Sequence, residues 1–140
     1  MIVVRGKDVE VSDAGKRSGL PPMAFTRKWL IHKKVGDDSY GHRFAVREFK
    51  LEPGVRVTMH HHPYVEAVYI VRGKLLFENC DKEKAEVGAG DVVYTHEWEP
   101  HALSVVGDDR VVIVCCIDCI NGGDNCDPSS SVGAPQSVEC

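Results

Sequence analysis

Apolar and polar residues alternate in short runs along most of this chain, with glycine, proline, serine and aspartate concentrated between the runs. Val55, Val57 and Met59, for example, alternate with Arg56, Thr58 and His60. A period of two, rich in β-branched side chains, is the pattern of a strand whose two faces meet different surroundings. Further runs occupy 25–34, 42–51, 65–72, 75–78, 90–95, 101–106 and 110–117, the last being the most apolar. Turn-forming residues separate them at 36–41, 52–54, 73–74, 80–84 and 107–109. With roughly eight to ten short strands and no helix longer than a turn, the pattern predicts an all-β sandwich or barrel.

The two ends differ from this body. In 1–24, residues 2–4 and 9–11 suggest two short strands, and 18–22 breaks any regular element. This stretch is expected to be an N-terminal arm or edge strands. Residues 121–140 are rich in glycine, serine, aspartate and proline, which predicts a loop or extended arm. The expected organisation is therefore arm 1–24, barrel 25–120 and tail 121–140.

Histidines are placed unevenly within this frame. His60, His61 and His62 are consecutive at the end of one predicted strand, and Glu66 lies near the start of the next. Successive side chains in a strand face opposite ways, so His60 and His62 share a face and His61 takes the other. Glu66 has the parity of His60 and His62 if Pro63-Tyr64 makes a tight connection. Downstream, alternation puts His101, Leu103 and Val105 on one face. Imidazoles with a carboxylate suit a divalent first-row metal, and two histidines with one carboxylate form a known open iron site.

The spacing of Gly54, His60, His62, Glu66 and Gly73 resembles the first motif of the cupin family at every fixed position. Gly90-Asp91 through His101 resembles its second motif. The resemblance, to a small single-domain cupin, is close over 54–101 and extends through flanking strands to 25–118. It implies a double-stranded β-helix, the jelly-roll cupin barrel, which limits exposed sheet edges. It also implies one divalent transition metal (Fe, Mn, Ni, Zn or Cu) held by His60, His62, Glu66 and His101 in one mouth of the barrel. A dioxygenase acting on a small organic substrate is the leading expectation. The alternatives are a non-redox decarboxylase, lyase or isomerase, and a small-molecule-binding module without turnover.

The chain departs from the common pattern at His96, where many cupins carry proline. His96 is read either as a pocket acid–base group, with Tyr94 of the same parity contributing a phenol, or as a histidine of the rim. Trp98 is expected to cap that loop. Arg47 and Glu48 occupy opposite faces of one strand, and alternation alone does not say which points inward. An inward Arg47 would suit a carboxylate-bearing substrate through its planar fork.

Composition narrows the setting. A length of 140 residues suits one domain, since domains cluster near ~100–150 residues. A net charge of −4 with scattered basic residues gives no footprint for nucleic acid or an anionic membrane. No apolar run approaches the ~18 residues of a membrane span, and the first residues lack a signal-peptide shape. A cytoplasmic homodimer is expected. Six cysteines are many for such a chain, and Cys116-Ile117-Asp118-Cys119 has the spacing of a metal site. No second such pair occurs, so structural thiols are the favoured reading, with a tail disulfide or redox site next.

Overall fold

The computed structural model describes residues 1–140, the side chain of Asp38 excepted. Its strands are β1 (Ser12–Asp13), β2 (Phe25–Ile31), β3 (Phe44–Leu51), β4 (Arg56–His61), β5 (Glu66–Arg72) and β6 (Lys74–Asn79). They continue with β7 (Lys84–Gly88), β8 (Val92–Thr95), β9 (His101–Val105), β10 (Val111–Asp118) and β11 (Gln136–Ser137). One sheet has the order β1-β2-β3-β10-β5-β8 and the other β11-β4-β9-β6-β7. Within the run from β3 to β10 the pairing is nested: β3 with β10, β4 with β9, β5 with β8, β6 with β7. A chain folded double and wound in this way is a jelly roll, and every pair is antiparallel.

Alternation decides which side chains fill the space between the sheets. Ala45, Arg47, Phe49 and Leu51 of β3 are buried, as are Val111, Ile113, Cys115 and Ile117 of β10. Phe49, Ile70 and Ile113 from one sheet meet Val57, Leu75 and Leu103 from the other in one cluster. Each large aliphatic side chain removed from water contributes ~1.5–3 kcal/mol. Gly73 turns β5 into β6 with φ 83°, and a Cβ there would stand 2.8 Å from Val111 Cγ2 and 3.0 Å from the Arg110 carbonyl. Only glycine fits both the angle and the space.

Both chain ends add short strands to the edges of the sheets. Residues 2–4 and 9–11 form no strand; a 3-10 turn covers Gly6–Asp8, and β1 pairs with β2 through Ser12 and Asp13. The tail, expected as a loop or extended arm, runs back along the barrel. It carries a 3-10 segment at Asn121–Cys126, and β11 pairs with β4 so that Gln136 faces His61 and Ser137 faces His60.

The structural-thiol reading is overturned for four of the six cysteines. Cys80 bonds Cys140, and Cys119 bonds Cys126. The first bridge ties the last residue to the end of β6, and the second closes the 3-10 segment, where Cys126 packs beside Ala45, Tyr64 and Ile117. Cys115 and Cys116 remain free, the first buried and the second exposed. Among the described residues, no helix is long and apolar enough to cross a membrane.

Candidate metal centre and its cavity

β4 and β9 bring His60 and His101 into direct cross-strand register. His62 follows β4 with the parity of His60, and all three rings are buried. Their centroids lie 4.3 Å (His60–His101), 5.1 Å (His62–His101) and 6.0 Å (His60–His62) apart. One ring nitrogen from each lies within 4.8 Å of the other two, a cluster that could hold a metal ion. His61 points away, its ring 4.9 Å from that of Trp98. Strand parity alone accounts for this division.

The imidazoles are oriented by the backbone. Nδ1 of His60 donates to the Thr58 carbonyl (2.8 Å), Nδ1 of His62 to that of Tyr64 (2.9 Å), and Nδ1 of His101 to that of Glu99 (2.8 Å). A carbonyl can only accept, so each Nδ1 carries the proton and each Nε2 keeps a lone pair. Burial, and after it the His101 ring, lowers the His60 imidazole to about 3, while burial also lowers His101. Neutral rings are the ligating form.

Glu66 opens β5 on the same face. Its Oε1 stands 3.7 Å from His62 Nε2 and 4.0 Å from His101 Nε2, while its Oε2 accepts from Arg47 Nη2 at 2.6 Å. Burial pushes this carboxyl up, and the Arg47 guanidinium on its other oxygen pulls it the opposite way, below the ordinary carboxylate range. The carboxylate is thus ionised, anchored by one oxygen and presenting the other to the histidines. The Nε2 atoms of His62 and His101 are buried without a hydrogen-bond partner among the described residues. A divalent ion at these nitrogens would satisfy both, so the donor set fits the metal that the motif implies.

A cavity of about 270 Å³ opens on His60, His62 and Glu66. Phe25, Phe49, Val57, Val68, Leu103 and Ile113 give it an apolar wall. Arg47, not Glu48, is the inward residue of β3; it is 5% exposed and packs over the rings of Trp29 and Phe49 at 5.2 and 5.1 Å. Tyr64 stacks on His62, centroids 4.1 Å apart and planes 9° from parallel, and burial pushes its phenol up to about 12. Alternation showed no role for Tyr64, because it lies in the connection between strands. Its position two residues beyond His62 is the only signal in the sequence.

His96 and Tyr94 do not belong to this cavity. The β5–β8 register turns Val93 and Thr95 toward the interior and Tyr94 outward, 55% exposed. His96 is exposed too, and the two rings meet edge to face at 5.3 Å outside the barrel. Of the two readings of His96, this exposure fits the histidine of the rim, with Tyr94 beside it on the surface. Trp98, also half exposed, does serve the loop: at φ 61°, its N–H donates to the His62 carbonyl at 2.7 Å.

Comparison with known proteins agrees with this architecture. The model of the cupin domain matches residues 47–117. Over 88 residues the chain is 31% identical to an uncharacterized protein, MJ1618, of Methanocaldococcus jannaschii, covering 62% of this chain and 67% of that one. Among solved structures it is similar to the polyketide cyclase RemF from Streptomyces resistomycificus, with a TM-score of 0.68 and 21% identity over 85% of this chain and 80% of that one. It is also similar to a predicted oxalate decarboxylase from Thermotoga maritima, with a TM-score of 0.66 and 22% identity over 84% and 98% of the two chains. At these identities the structural likeness speaks for the fold alone.

Proposed function

Because the chain belongs to the cupin family, whose fold leaves the chemistry to the site, we propose from its own side chains that it is a metal-dependent enzyme of small organic molecules. One divalent transition metal would be held by His60, His62, His101 and Glu66. The observation that carries this reading is the pair of buried, unpartnered Nε2 atoms on His62 and His101, facing an ionised Glu66. Leaving a buried polar atom unsatisfied costs ~1–3 kcal/mol, which a ligated ion removes.

When bound, such a metal supplies open positions for substrate and dioxygen, or Lewis acidity toward a carbonyl or carboxylate. The chain's own residues bind and orient. Arg47 fixes Glu66, the three backbone carbonyls fix the rings, and the apolar wall offers a carbon skeleton a surface to pack on. Burial pushes Tyr64 and Cys115 up, whereas backbone N–H groups of Gly15 and Met23 hold Asp13 down. A centre of histidines and a carboxylate with open positions suits dioxygen chemistry, and dioxygenation is the leading reading. Decarboxylation is second, in line with the predicted activity of the Thermotoga maritima relative in fold.

The test is protein purified anaerobically, assayed for bound metal, then loaded with iron, manganese or zinc. Small diketones, hydroxy acids and thiols are offered while oxygen uptake and product are followed together. Uptake matched to product supports a dioxygenase. Turnover without uptake leaves the non-redox reading, and failure to bind any metal overturns both.

A second copy of the chain is the partner proposed. Tyr69, Val71, Val92 and Tyr94 form an exposed apolar patch on the outer face of β5 and β8, and exposed Cys116 lies beside Ala67 on the neighbouring strand. A Tyr69→Lys variant that stays the same size as the wild type by light scattering would refute this. As for compartment, two disulfides sit poorly with a reducing cytoplasm outside hyperthermophiles. They favour an oxidising setting over the plain cytoplasm expected from the sequence.

A further inference from the structure

The cavity carries more positive charge than its metal ligands need. Lys16, Arg17, Arg27 and Arg47 line it, against the carboxylates of Asp13 and Glu66. Both carboxylates are engaged: Asp13 accepts from the backbone N–H groups of Gly15 and Met23 at 2.8 and 3.2 Å, and Glu66 from Arg47. Arg17 is engaged as well, donating to the Thr58 hydroxyl at 3.1 Å and the Thr58 carbonyl at 3.4 Å. Lys16 is exposed to solvent at the rim. Arg27 is different.

Arg27 projects from β2 opposite Phe49, and Trp29 with Arg47 is the next cross-strand pair on that face. It is partly buried, and its guanidinium carbon lies 5.6 Å from the centre of the Trp29 ring. Its Nε is buried with no hydrogen-bond partner among the described residues. No ion pair to it occurs among them either. Burial, and after it the neighbouring Arg47 charge, lowers the Arg27 pKa, as expected for a guanidinium without a counter-ion. A planar cation held in an apolar wall with an unused donor is an incomplete pair. Its natural complement is a planar anion.

We propose that the cavity takes a small organic acid, its carboxylate paired with Arg27 and its carbon skeleton lying on Phe25, Phe49 and Val57 toward His60 and His62. This names the substrate class of the site described above, and so rests on that cavity being the working site. Its volume, about 270 Å³, lies at or below the low end of the roughly 300–1,000 Å³ usual for ligand pockets, which restricts the acid to a compact one.

Titration calorimetry with benzoate and 2-oxobutyrate, each beside its neutral amide, tests the assignment on metal-free and zinc-loaded protein. The acids are expected to bind at least ~10-fold more tightly than the amides, as a charge-assisted pair requires. Arg27→Gln should weaken the acids by ~10–100-fold and leave the amides unchanged, while Arg27→Lys restores part of the difference. Zinc content and thermal midpoint of both variants should match the wild type, showing that fold and centre are intact. Acids and amides binding alike, or acids unaffected by Arg27→Gln, would overturn the proposal. If the protein takes no zinc yet still prefers acids through Arg27, the metal reading falls and this one stands. A zinc-loaded protein indifferent to the carboxylate has the opposite meaning.

Discussion

Arg47 Nη2 lies 2.6 Å from Glu66 Oε2, and neither residue is more than 8% exposed. Removing one member of such a pair strands the other charge in the interior, at a cost of ~3–5 kcal/mol. Arg47→Met should therefore destabilise metal-free protein by about that amount in urea denaturation. The double variant Arg47→Met/Glu66→Gln should be more stable than Arg47→Met alone, because no orphan charge remains. A double variant less stable than the single one would show that the pair is not the source of the loss.

Ligand loss should follow strand parity. His60→Ala, His62→Ala and His101→Ala each remove a ring nitrogen from the cluster, and stoichiometric metal should be lost on dialysis. His61→Ala removes a ring that packs on Trp98, and metal content should not change. Elemental analysis of the four proteins side by side decides the matter.

Acid should weaken the metal-free fold in a defined window. An imidazole that binds protons near 6.5 when unfolded is held to about 3 at His60, by burial first and the His101 ring second. The unfolded chain therefore takes up a proton that the folded chain refuses, and stability present above 6.5 is lost as pH falls toward 3. Glu66, lowered from 4.5 to about 2, adds a further loss as pH falls through that lower window. Urea midpoints measured from pH 7 to pH 4.5 should fall, and fall less in His60→Gln. A flat profile would contradict the burial of the rings.

The Cys80–Cys140 bridge spans a sequence separation of 60. Closing a loop of that length stabilises by up to about 4 kcal/mol on the chain-entropy account. Cys140→Ser should lower unfolding free energy by up to that amount and release one further titratable thiol, that of Cys80. Unchanged stability together with an unchanged thiol count would show that the bridge does not form.

His96→Gln and Tyr94→Phe should leave metal content and carboxylate binding as they are, since both side chains lie outside the cavity. A ten-fold or greater loss of turnover in either would return them to the mechanism.

Parity made much of the centre legible. Because side chains in a strand alternate, the order His60-His61-His62 was enough to separate the two clustered rings from the one that points away, and Glu66 followed across a short connection. The same rule left Tyr94 and His96 undecided. It says which residues share a face but not which face is inside, and that was decided by the pairing of β8 with β5. Arg47 against Glu48 was open for the same reason until β3 was flanked by β2 and β10. The disulfides and β11 were hidden for a different one. The Cys80–Cys140 bridge and β11 join segments far apart in sequence, residues 80 with 140 and 61 with 136, and no local pattern records such meetings; Cys119 and Cys126 are only 7 apart, but a list of cysteines does not say which of them pair.

β4, which carries His60, would be the open edge of its sheet without help from both ends of the chain. From the C-terminal side β11 covers His60 and His61, and the Val138 N–H donates to the Met59 carbonyl at 3.0 Å. From the N-terminal side the Ser18 hydroxyl accepts the Thr58 N–H at 3.1 Å, while Arg17 takes the Thr58 carbonyl. A bare edge is a template on which a foreign strand can add, and here that template is occupied along its histidine-bearing half. Growth of one molecule onto another through the His60 strand, into tangled multimers or fibres, is thereby blocked. The same two segments form part of the cavity's rim through Arg17, Ala134 and Pro135, so the guard against misassembly and the doorway for a ligand are one structure.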